Sequence, residues 1–89
     1  MAHDKLERAS EELYAAAAVA AANSKERERL ERQADQFANL AETGTDHGRL
    51  ARHENALREI KAAAGDEVSE HVEDAMDAIT AYRETLDGV

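Results

Sequence analysis

The chain has 89 residues, no Pro, Cys or Trp, and 20 acidic against 11 basic side chains, for a net charge of −9. That length allows one domain at most, and the lack of cysteine excludes disulfides, thiolate metal sites and cysteine nucleophiles. Asp4, Glu7 and Arg8 interrupt any signal-peptide pattern, and the Ala15–Ala22 run is too short and too weakly hydrophobic to cross a bilayer, so a cytoplasmic, non-membrane protein is expected.

Abundant Ala, Glu, Arg and Leu favour helix almost everywhere, so breaks must come from Gly, Asn, Ser, Thr and Asp. The spacing predicts helices over about 4–22, 24–43, 46–64 and 66–87, each with an apolar seam at alternating three- and four-residue steps. In the first the seam is Leu6, Ala9, Leu13, Ala16 and Ala20. Asn23-Ser24 then closes one helix and caps the next, whose seam is Leu30, Ala34, Phe37 and Ala41, with Leu40 beside it. Thr43-Gly44-Thr45-Asp46 combines a Gly suited to a helix end with two candidate N-caps. The third seam follows as Leu50, His53, Leu57, Ile60 and Ala64. Gly65-Asp66 makes the last break, and the fourth seam is Val68, Val72, Ala75, Ile79, Tyr82 and Leu86, ended by Gly88.

Four similar lengths joined by short turns predict an all-α, antiparallel four-helix bundle. The alternative is three helices with a long first helix from about 4 to 43, because the first two seams stay in phase through Arg27; that arrangement would require a dimer. The core contains many alanines and few large side chains, and the Ala15–Ala22 face permits close helix approach. Self-association is therefore expected.

Charge is unevenly distributed along these segments. Residues 66–87 hold eight acids and one base, whereas residues 46–64 hold four bases and three acids. The plainest reading of the basic segment is structural: Arg49, Arg52, Arg58 and Lys61 face the acidic helix that follows. The sharper reading makes His47, Gly48, Arg49, Arg52, His53 and Arg58 a candidate partner-binding set. A nucleic-acid-associated regulator using the Arg-bearing third helix is the alternative function, since a turn leading into such a helix superficially resembles a recognition helix. Net negative charge, the lack of stacking aromatics and the lack of a complete helix-turn-helix pattern weigh against it.

No metal or other cofactor is expected. His47 and His53 are six apart, on different sides of a helix, and the paired Glu-x-x-His pattern of bundle metal centres is missing. Glu67 and His71 have i, i+4 spacing, which also arises often by chance. His53 falls on the seam, where a half-buried histidine specifies register or, in the functional version, makes an interface pH-sensitive. The Ser and Thr hydroxyls fall at caps or on helix surfaces, and an alanine-filled core leaves little room for a substrate, so no enzymatic role and no small-molecule substrate are expected.

Excess carboxylate, only three Lys among the bases and twenty Ala together fit a protein of concentrated salt, where screening makes self-repulsion tolerable. The segment DHGRLARHENALREI (46–60), with AYRETLDGV at 81–89, resembles an uncharacterised family of small acidic proteins from halophilic archaea. The resemblance is clearest from Leu30 onward. It implies membership but no activity, and no ligand or catalytic residue is carried over from it. The reading is thus a non-enzymatic structural or protein-interaction module of a high-salt cytoplasm.

Overall fold

A computed structural model describes residues 3–86 of the protein. Four helices form in chain order: α1 (Asp4–Val19), α2 (Lys25–Thr43), α3 (His47–Ala63) and α4 (Asp66–Arg83), with no strand among the described residues. The helix starts follow local chemistry. The Ser24 hydroxyl accepts from the Arg27 N–H at 3.1 Å, and Asp46 Oδ1 accepts from the Arg49 N–H at 2.8 Å. Each satisfies one of the backbone donors that a helix start leaves unpaired. Ahead of α4 the cap position is Gly65, with no side-chain cap, and Asp66 lies in the first turn beside the positive helix end.

Cross-helix contacts fix the direction of each helix. Between α1 and α2, Ser10 donates to the Ala34 carbonyl and the His3 N–H to that of Ala41. Between α1 and α4, Glu12 meets His71 while the ring of His3 meets that of Tyr82. Gln33 meets His53 and Arg29 meets Glu59 across α2 and α3, and Glu54 meets Arg83 and Lys61 meets Glu73 across α3 and α4. In every pair one number rises as the other falls, so neighbours run antiparallel and the four helices close into a ring. The expected up-down-up-down bundle therefore holds, and the long first helix does not.

Residues 20–24 make the reversal that separates α1 from α2. Ala20 is extended (φ −76°, ψ 156°), and Asn23 adopts φ 63°, a left-handed conformation that asparagine tolerates better than most residues. α1 thus ends at Val19 rather than near 22. The helix preference of Ala21 and Ala22 is small beside the apolar burial gained when α2 folds back, so the turn overrides it. α4 ends at Arg83 rather than near 87, where the Thr85 hydroxyl takes the Tyr82 carbonyl at 2.6 Å and competes with continued helix. Leu86 then folds partly against the core. Asp87 and the expected terminator Gly88 lie outside the described residues.

The predicted seams of α1, α2 and α4 are buried throughout, except that Leu86 is only partly so. α1 packs closely on both α2 and α4, while α3 joins the ring more loosely. Size explains the difference. Ala9, Ala16 and Ala17 are buried on α1, with Ala20 buried just past its end, and such small side chains let helix axes approach. Ser10 belongs to this interface too: its hydroxyl is buried and bonded to the Ala34 carbonyl at 2.9 Å, not placed on a helix surface as expected.

Candidate functional site

The buried face of α3 differs from the predicted one by a single position. Leu50, Glu54, Leu57 and Ile60 are buried, whereas His53 and Ala64 are only half-buried. Positions 50, 53, 57 and 50, 54, 57 both fit a helical repeat, so local spacing does not choose between them. A distant cation does. Arg83, the one base of α4, places Nη1 at 2.5 Å from Glu54 Oε1 and donates through Nε to His47 Nδ1 at 3.0 Å. Because Nδ1 accepts, the His47 proton sits on Nε2, which is buried and has no partner. Charge complementarity between α3 and α4 thus runs partly opposite to expectation, with the acid on the basic helix and the base on the acidic one.

Turning Glu54 into the bundle leaves His53 on the flank that faces α2. Its Nδ1 lies 2.7 Å from Gln33 Oε1, an acceptor, which places the ring proton on Nδ1. The ring packs on Phe37 with centroids 4.9 Å apart. Burial first, and then the charge of Arg49, hold the His53 pKa below its usual 6.5. Beyond His53 the α2–α3 seam opens into a groove of about 480 Å³, lined by Gln33, Gln36, Asn39, Leu40, Arg49, Arg52 and His53. Gln33, Gln36 and Leu40 share one face of α2, and Arg49, Arg52 and His53 one face of α3. No carboxylate lines it. Arg49 and Arg52 take part in no ion pair among the described residues, whereas Arg27, Arg29, Arg32 and Arg83 each do.

The expected partner-binding set is therefore divided. Arg49, Arg52 and His53 come together in the groove. His47 points instead to α4 and Arg83. Arg58 bonds Asn55 within α3 at 3.0 Å and does not line the groove. A Cβ on Gly48 would meet only Asp46 Oδ1 at 3.5 Å, an ordinary contact, so nothing in the structure requires glycine there. Of the four bases expected to face α4, Lys61 does so, 3.2 Å from Glu73; Arg49 and Arg52 face the α2 side.

The sequence reading missed the amide wall of Gln33, Gln36 and Asn39. Its signal was the i, i+3 placement of Gln33 and Gln36 beside the α2 seam. It also missed the Glu54–Arg83 pair, signalled by the presence of one cation on an otherwise acidic helix. A third grouping unites residues far apart in the chain. Glu12 of α1 and His71 and Asp74 of α4 bring one potential ligand atom each to within 4.8 Å of one another. His71 thus faces Glu12, at 3.1 Å, rather than being paired along its own helix with Glu67.

A model of the Family of unknown function (DUF7553) matches residues 1–85. No curated protein and no solved structure matches the chain.

Proposed function

The chain belongs to this family of unknown function, and on that premise we propose that it is a non-enzymatic interaction module of a high-salt cytoplasm, docking an acidic helical segment of a protein in the α2–α3 groove. The observation that carries the reading is the pair Arg49 and Arg52, free of ion pairs among the described residues and lining a groove that contains no carboxylate. In a protein of net charge −9, most surfaces repel an acidic partner; this one attracts it. Guanidinium groups hold carboxylates by paired hydrogen bonds, and the amides of Gln33, Gln36 and Asn39 supply both donors and acceptors. Leu40 adds an apolar floor.

Salt selects among occupants. At molar salt the Debye length falls to about 3 Å, so only direct contacts survive. Nucleic-acid affinity falls with a log–log slope of about −0.9 per neutralised phosphate, and two arginines offer too few contacts to withstand that. A bidentate carboxylate contact is short enough to persist. α4 of a second copy has the required chemistry, with six acids between Asp66 and Arg83, and makes self-association the first pairing to test.

Sedimentation of the full chain in molar KCl tests this reading, alongside binding of acidic helical peptides and of single- and double-stranded oligonucleotides. Association or acidic-peptide binding that is lost in the Arg49→Ala/Arg52→Ala double variant, with its helical circular dichroism unchanged, supports it. A wild-type chain that stays monomeric and ignores acidic peptides overturns it. Retention of oligonucleotides at that salt, lost in the same variant, replaces it with the nucleic-acid reading.

A further inference from the structure

We propose that Glu12, His71 and Asp74 form a binding site for one divalent transition-metal ion, with Zn²⁺ as the reference occupant, clipping α1 to α4. His71 and Asp74 are three apart on α4 and so share a face, and Glu12 meets them from α1. Their donor atoms lie within 4.8 Å of one another. Around a tetrahedral ion with bonds of about 2.1 Å, donors sit about 3.4 Å apart, so closing the site needs side-chain rotation and no backbone movement.

The frame is firm where the ligands are adjustable. α1 and α4 are closely packed, and Leu13, Val72 and Ala75, each next to a ligand in sequence, are fully buried. Glu12 and His71 are largely shielded from solvent, with side chains 23% and 34% exposed. Two carboxylates share this site with a single imidazole, and neither is paired with a Lys or Arg among the described residues. A cation is what the grouping lacks.

The donor set also sets the metal class. Imidazole with carboxylates suits Zn²⁺ and Co²⁺, whereas Mg²⁺ and Ca²⁺ prefer oxygen alone. Three protein donors leave a coordination position for water. On binding, the metal replaces the hydrogen bond between His71 and Glu12, and the neutral imidazole coordinates through one ring nitrogen while its proton stays on the other.

A plain His71–Glu12 hydrogen bond would account for two of the residues without the third, so Asp74 decides the question. Asp74 is exposed and outside that hydrogen bond, so Asp74→Asn is expected to leave the metal-free melting temperature unchanged. With the untagged full chain, Co²⁺ is expected to bind one per chain with a visible absorption band that Zn²⁺ displaces. Zn²⁺ raises the melting temperature by several degrees, and Mg²⁺ at the same concentration does not. Because losing even an outer-shell partner costs about tenfold or more, Asp74→Asn is expected to weaken binding at least about tenfold, and His71→Ala to abolish it. The proposal is overturned by absence of saturable Co²⁺ or Zn²⁺ binding, by equal affinity in Asp74→Asn, or by Mg²⁺ binding as well as Zn²⁺.

Discussion

α1 and α3 are similar in length and sit opposite each other in the ring, yet they are held by different means. α1 presents leucines and alanines to two neighbours, and its one buried polar group, Ser10, is satisfied by a backbone carbonyl. α3 presents three large apolar side chains and a carboxylate, and it leaves a groove on its α2 side. A face of small apolar residues permits close packing, and the groove between α1 and α2 is about 250 Å³, half of that on the α2–α3 side. A face that contains a charge must be satisfied by direction as well as by area, and the helix rotates until the charge meets its partner. Surface that cannot then be buried becomes available for binding.

The largest effects should separate the two helices directly. Leu13→Ala on α1 is expected to cost about 3–5 kcal/mol, and Leu57→Ala on α3 only about 2–3, because a loosely packed site collapses more readily around the lost volume. Both residues are fully buried, so exposure does not explain a difference. Urea titration in high salt measures it, and equal costs would break the comparison. Next, Glu54→Gln leaves Arg83 without its anion and is expected to cost about 2–3 kcal/mol, while replacing both partners by leucine recovers most of that loss. A double-mutant cycle reads the coupling; additivity would mean that α3 is positioned by its leucines alone.

Smaller effects sharpen the picture around the groove. Gly48→Ala is expected to stabilise the protein by about 0.5–1 kcal/mol, since the added methyl meets no close atom and glycine weakens a helix. A destabilised variant would instead point to a steric need at the start of α3. The smallest expected effect is the pH dependence of His53. Its folded pKa lies below the usual 6.5, so between those two values the unfolded chain binds more protons. Stability therefore falls as pH drops below about 6.5 and levels off beneath the folded pKa, with no contribution from this group at higher pH. His53→Gln should flatten that part of the curve in denaturation series run at pH 7.5 and below. An unchanged slope would mean that the ring is no more desolvated in the fold than in the unfolded chain.

Nearly all of the fold was legible in the chain. Ser24 and Asp46 announce two helix starts by their capping chemistry, Asn23 and Gly44 mark turns, and the α1, α2 and α4 seams repeat at helical spacing. The α3 face was legible only to within one position, because His53 and Glu54 both fit the repeat and a carboxylate ranks as the more soluble residue. The groove was half legible: Arg49, Arg52 and His53 stand out by charge, but the amides of α2 that complete it do not. His71 and Asp74 share a helix face by their i, i+3 spacing, but nothing in the sequence brings Glu12, 59 residues from His71, to them.

Helix starts, caps and the apolar seams of α1, α2 and α4 are set by interactions within one or two turns, and the sequence alone determined them. Which charge is turned inward, which arginines are left unpaired and which donors converge across α1 and α4 depend on contacts between distant segments. Only the tertiary structure decided these, because a helix specifies its face to within one residue and its neighbours then settle the rotation by satisfying their own buried groups.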